Sequence, residues 1–215
     1  MGVRAEEGPA SDIDRAVREA DELLRRIDSA REEAARVSRD VIRYSGYSIT
    51  YLHKGDFEGA ARALGECESL ARRLIEVVSP YPELAFSGLV HNAISEYVEA
   101  KVFFSIVTQN RVPSFRDLGV HPVPYLQGLA DVVGELRRHA LDSVGRGDLR
   151  EAWRSLSVME AIYGALKGLD YPDAVLPNVR HKVDVARALV DSTKALLVDV
   201  ESREKLVRLL SSGQG

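Results

Sequence analysis

Two pairs of carboxylates stand in stretches that otherwise carry almost no charge. Between Leu84 and Asn110 the only formally charged residues are Glu96, Glu99 and Lys101, within AISEYVEAKVFFSIV. Between Pro122 and Leu136 they are Asp131 and Glu135, within PVPYLQGLADVVGEL. On a helix, residues three or four apart share a face, so each pair projects from one side of its segment. An isolated carboxylate in apolar surroundings is costly and tends to stay protonated, and a second negative charge beside it worsens the balance. Two outcomes relieve it. The acids pair with cationic side chains, for which Lys101, Arg137 or Arg138 are at hand, or they share a bound cation. Finding two such pairs, each the main charge of its segment, favours the cation. Hard oxygen donors without a Cys or His cluster suit Mg²⁺ or Mn²⁺, and such an ion can activate water and offset charge on a phosphodiester.

The elements that must position these acids are helical. From Ile13 to Leu52 apolar residues recur every three to four positions, which predicts one long helix or two nearly collinear ones. Gly55 suits its left-handed C-terminal position and Asp56 the N-cap of a second helix reaching Val78. Ser79-Pro80-Tyr81-Pro82 breaks the chain before a third helix over 83–109. After a connection rich in proline, with one turn at 114–118, a fourth helix covers 123–144. Gly128 and Gly134 lie inside it, each costing about 1 kcal/mol relative to Ala, which is tolerable where another backbone must approach closely. Arg146-Gly147-Asp148 repeats the stop-and-cap signal, with Glu151 completing a capping box. A fifth helix reaches Leu166, and one or two more cover 173–210. Residues 1–11 and 211–215 read as flexible tails. No strand alternation or composition shift appears, so the expected fold is all-α, a single-domain bundle of about seven long helices over 12–210.

Composition narrows the function. The chain has 29 Lys plus Arg against 33 Asp plus Glu, a net charge of −4. Any nucleic acid must therefore meet a local patch or an enclosed surface rather than a global basic field. Cys67 is the one cysteine, which excludes an intrachain disulfide and suits a reducing compartment. No apolar run reaches the length of a membrane span and the N-terminus lacks a signal-peptide core, so a cytoplasmic location is expected. No P-loop, zinc pattern or nucleophilic triad is present.

The acidic segments also carry a family likeness. Ser95–Ala100 (SEYVEA) resembles a segment of translin-associated factor X, a branch of the translin family. Tyr125–Asp148 (YLQGLADVVGELRRHALDSVGRGD) resembles that branch's run of Tyr-Leu, Gly, Ala-Asp, Gly-Glu-Leu, Ser-Val and Gly-Asp. SAREEAARVSRDVIRYS and PNVRHKVDVARALVDSTKAL look like the family's first and last long helices, so the likeness runs from about 20 to 200. It implies a seven-helix subunit in a closed, hollow, roughly octameric homo-oligomer. It also implies a metal-dependent endoribonuclease that cuts single-stranded RNA inside that shell. By match, the catalytic and metal-binding acids are Glu96, Glu99 and Asp131, with Glu135 as a fourth member.

One departure concerns binding. Ahead of the third helix the translin branch has a basic, aromatic segment; here SPYPELAFSGLVHN offers only His91. The remaining candidates for nucleic-acid contact are Lys101, Arg137, Arg138 and His139, each of which also reads as helix surface. Arg180-His181-Lys182 reads as a basic helix surface, and Trp153 and Tyr163 as core or subunit-contact residues. Two other functions fit the same acids. One is a non-catalytic shell that binds single-stranded RNA or DNA. The other is an all-α Mg²⁺-dependent nucleotide pyrophosphohydrolase, whose second acidic pair is typically Glu-x-x-Asp rather than the Asp-x-x-x-Glu found here. A di-iron bundle would need Glu-x-x-His pairs, which are absent.

Overall fold

Short punctuation signals set the helix boundaries. In a computed structural model that describes residues 9–212, Gly55 and Gly147 take φ of +76° and +79°, the left-handed positions their stop-and-cap contexts require. Asp56 then accepts a hydrogen bond from the Gly59 N–H at 2.8 Å, and Asp148 one from the Glu151 N–H at 3.0 Å. Ser114 and Asp117 form a reciprocal capping box around a single turn.

The helices are α1 (Pro9–His53), α2 (Phe57–Val78), α3 (Pro82–Ala85), α4 (Gly88–Gln109), α5 (Phe115–Leu118), α6 (Pro122–Gly145), α7 (Leu149–Leu166) and α8 (Val179–Ser212). Among the described residues there is no strand, and the chain is an all-α bundle. Six helices are long; α3 and α5 are single turns. Several boundaries differ from the sequence expectation. Residues 9–11 and 211–212 are helical rather than tail; the rest of both tails, 1–8 and 213–215, lies outside the described residues. The helix expected over 83–109 is interrupted, because Ser87 is extended (φ −68°, ψ 147°) and its hydroxyl donates back to the Leu84 carbonyl at 2.7 Å. The segment 173–210 forms one helix, starting only at Val179 after Pro172 and Pro177. Glu151 does not close a capping box; its carboxylate turns to Arg154 and His139.

α4 is the central element. It packs against α1, α2 and α6, while α6 also meets α7 and α8. That explains its uniformly apolar composition: a helix covered on several sides has no polar face to offer. Val98, Val102 and Phe103 on α4 and Val132, Val133 and Leu136 on α6 are fully buried. The two helices come closest at Gly128. A Cβ there would stand 2.4 Å from the Ser95 carbonyl oxygen and 2.9 Å from the Val98 Cβ, so only glycine fits. Gly134 has no such reason: a Cβ there would meet nothing within 4 Å. Among the described residues no helix is long and apolar enough to cross a membrane.

The two glycines yield opposite expectations. Gly128→Ala should destabilise the fold by about 1–3 kcal/mol through overpacking, although Ala is the better helix former. Gly134→Ala should leave stability unchanged or raise it by up to about 1 kcal/mol. Denaturant unfolding of the two variants checks this, and a Gly128→Ala protein as stable as the parent would contradict the close approach.

Candidate active site between the central helices

The Gly128 contact sets how near the acids of the two helices lie. Glu96 and Glu99 project from α4, Asp131 and Glu135 from α6, and they act as one electrostatic cluster. Burial pushes the Glu99 carboxyl up to about 8, with Asp131, Glu96 and Glu135 adding to the rise and Lys182 opposing it. Glu96 is raised for the same reasons, burial first, then Asp131, with Lys182 again opposing and Glu135 adding. Among the described residues neither Glu96 nor Glu99 has a side-chain hydrogen bond or ion pair.

The other two acids are held. The Lys182 ammonium on α8 donates to both Asp131 oxygens, at 2.6 and 2.5 Å. His53, the last residue of α1, places Nε2 2.6 Å from a Glu135 oxygen and Nδ1 3.5 Å from the Asp142 carboxylate. Its side chain is only 3 % exposed and its ring lies 5.1 Å from that of Phe103. So α4 contributes the unpartnered acids, α6 the partnered ones, and α1 and α8 the partners.

A cleft of about 720 Å³ opens over this cluster. Glu96, Asp131 and Lys182 are on its wall with Asn92, Asn178 and His181; Glu99 and Glu135 are not. A polar clamp fixes the wall. The Ser95 hydroxyl donates to the Pro124 carbonyl at 3.1 Å, and the Gln127 amide donates to the Pro177 carbonyl at 2.9 Å. This ties α4, α6 and the segment entering α8, and so seats Lys182 opposite Asp131. His91 also lines the cleft and stacks on His121, with ring centroids 6.1 Å apart.

The basic residues singled out from sequence lie elsewhere. Lys101 turns to α2 and pairs with Glu68 at 2.9 Å. Arg138 is exposed, Arg137 is partly buried with its Nε lacking a protein partner, and none of the three lines the cleft. His139 is buried rather than superficial; it meets Glu151 at 3.1 Å, and burial lowers its pKa despite that contact. Trp153 is partly buried against the core.

His53 is unmarked in the sequence, and Lys182, which reads there as basic helix surface, instead meets Asp131. His53 gave no signal, since its partner Glu135 is 82 residues away. Lys182 gave one: Val179, Ala186 and Val190 are buried on α8, and Lys182 shares their helical stripe. A lysine on a bundle-facing stripe needs a carboxylate to meet.

The donor set fits a hard divalent cation. It consists of carboxylate groups, two of which, Glu96 and Glu99, are raised in pKa first by burial and then by the neighbouring acids and lack protein partners, a state that a dication relieves. As they stand, no three His, Cys, Asp or Glu side chains among the described residues are gathered tightly enough to hold an ion. Asp131 is engaged by Lys182 and Glu135 by His53, so gathering them requires at least the lysine to let go.

The raised carboxyls have a consequence for stability. Between the ordinary carboxylate value of 4.5 and about 8, folded Glu99 holds a proton that the unfolded chain has released. Stability therefore falls as pH rises through that window. Metal-free protein should lose stability over this range in denaturant titrations, and Glu99→Gln should flatten the slope. An identical slope in both proteins would contradict the burial of this acid beside its neighbours.

Comparison with known proteins agrees with the fold and its central helices. A model of the Translin family matches residues 10–201. An uncharacterized protein of Methanocaldococcus jannaschii is 33% identical over 188 residues, 85% of this chain and 83% of that protein. Among solved structures, AfC3PO in complex with duplex RNA is 34% identical with a TM-score of 0.82, covering 87% of this chain and 97% of that one. AfC3PO alone is also 34% identical, with a TM-score of 0.81 and coverage of 87% and 98%. Apo-NeC3PO, at 23% identity and a TM-score of 0.78, shares the fold. The family match runs unbroken through both acid-bearing helices and the α8 segment that closes over them, and the chain belongs to the Translin family.

Proposed function

We propose that this chain is an Mg²⁺- or Mn²⁺-dependent endoribonuclease of the cytoplasm, similar to the factor X branch of its family and acting on single-stranded RNA within a homo-oligomeric shell. The observation that carries the reading is the cluster itself: four carboxylates from two packed helices, of which Glu96 and Glu99 are raised in pKa and lack protein partners. A nearby relative in fold, AfC3PO, has been solved with duplex RNA. That supports RNA as the ligand and makes the strandedness of the substrate a variable to test.

Glu96, Glu99 and Asp131 would hold the ion, which when bound supplies Lewis acidity toward water and phosphate. Glu135, fixed by His53, orients the attacking water. Asn92, Asn178 and His181 give the cleft wall hydrogen-bonding groups for sugar and phosphate oxygens. The net charge of −4 means RNA is drawn in by this local chemistry rather than by the global field.

Assembly is part of the proposal. Ile13, Val17 and Leu24 on α1 and Leu206, Leu209 and Leu210 on α8 are exposed. Apolar rows of this kind suit burial against further copies, for which an octamer is the expected size. The second reading is a shell that binds RNA, or single-stranded DNA, without cutting it. It is favoured by the Asp131–Lys182 pair, which already neutralises one acid.

Purified protein incubated with end-labelled single-stranded and duplex RNA, with Mn²⁺ or with EDTA, separates the two. Cleavage of single strands that EDTA abolishes is expected. Glu99→Ala should lower the rate by more than the ~10–100-fold typical of changes around a metal site's outer shell, with the oligomer intact by size-exclusion chromatography. Binding without product would establish the second reading.

A further inference from the structure

The acidic cluster contains its own cation. Lys182 reaches from α8 to both oxygens of Asp131, and its charge is felt by Glu96 and Glu99 as well. Its side chain is 29 % exposed and sits on the cleft wall, so the ammonium has solvent to move into. Three acids of one cluster thus share a monovalent side-chain cation. Yet no three of the acids are gathered tightly enough to hold an ion while Asp131 stays paired. A dication and the ammonium are attracted to the same oxygens and repel each other, so while Lys182 spans both Asp131 oxygens it opposes a dication there.

Resting on the metal-dependent reading above, we propose that Lys182 is an exchangeable resident cation. It compensates the carboxylates in the metal-free protein, is displaced from Asp131 when a divalent ion binds, and then turns its ammonium to a phosphate of the RNA in the cleft. The exchange links loading to substrate. Metal binding frees a cationic group on the wall, where Asn178 and His181 are its neighbours, and a polyanion then gains a partner the metal-free site withholds. Lys182 is seated by local structure. The Lys182 N–H donates to the Asn178 carbonyl at 3.1 Å, and the Gln127–Pro177 contact fixes the preceding residue. Displacement therefore needs only side-chain motion, not a shift of α8.

The exchange makes two readouts move in opposite directions in one variant. Lys182→Gln removes the competitor, so Mn²⁺ should bind the RNA-free protein more tightly, by about tenfold for the loss of one opposing charge near partly buried acids. Mn²⁺ affinity is read by electron paramagnetic resonance of the free ion. At saturating Mn²⁺ the same variant should cleave RNA at least about tenfold more slowly, having lost one charged phosphate contact. Lys182→Arg, which keeps the charge, should retain an Mn²⁺ affinity close to the parent's. Unchanged or weaker Mn²⁺ binding by Lys182→Gln overturns the displacement, and cleavage at the parent rate overturns the phosphate contact. Glu99→Gln in the same titration separates this idea from the reading it rests on. If Glu99→Gln weakens Mn²⁺ binding and Lys182→Gln leaves it unchanged, only the exchange fails. If neither variant alters Mn²⁺ binding, the metal site itself is wrong.

Discussion

Negative charge held in an apolar place is the constraint around which this bundle is organised. α4 and the first half of α6 carry few charges, and their acids, Glu96, Glu99, Asp131 and Glu135, act on one another as one cluster. Each carboxylate there loses hydration and repels its neighbours, which is why Glu99 is pushed up to about 8. The protein meets that repulsion in part. Lys182 from α8 takes Asp131, and His53 from α1 takes Glu135. Glu96 and Glu99 are left without such partners, and it is this remainder that the proposed divalent ion would offset.

The rest of the structure supports this arrangement from both ends. Gly128 lets α4 and α6 approach until the Ser95 carbonyl and the Val98 side chain fill the space a Cβ would take. Below the acids, His139 meets Glu151, and Glu151 binds Arg154 through both oxygens at 2.7 Å. Arg154 in turn donates to the Asn110 side chain at 3.1 Å, so α6, α7 and the end of α4 are locked by one chain of charge-assisted contacts. Above them, the Ser95 and Gln127 contacts seat the start of α8. The four acids stand on α4 and α6, and their partner side chains reach in from α1 and α8.

Much of this was legible in the sequence because it rests on local rules. Helical periodicity, the Gly-Asp stop-and-cap signals and the isolation of four acids in apolar stretches located the elements and the cluster. Gly128 and Gly134 carry the same sequence expectation, a cost tolerable where a backbone approaches; Gly128 has that approach, whereas Gly134 has open space around it, because composition cannot tell which side of a helix meets a neighbour. Partners distant along the chain were not legible. Nothing near His53 points to Glu135, and Lys182 looked like one of three basic surface residues until α8 was packed. His139 looked superficial beside Arg137 and Arg138 because its acceptor, Glu151, lies on the next helix. Membership of the Translin family was carried by the two acidic segments, where spacing and composition are least ordinary.

The most direct measurement of the central claim is anomalous diffraction at the manganese edge from crystals of the full chain grown with Mn²⁺. A peak among the carboxylates of Glu96, Glu99 and Asp131 is the expected result. Crystals with Mn²⁺ in the medium that show no such peak, with Asp131 still closed on Lys182, would contradict it.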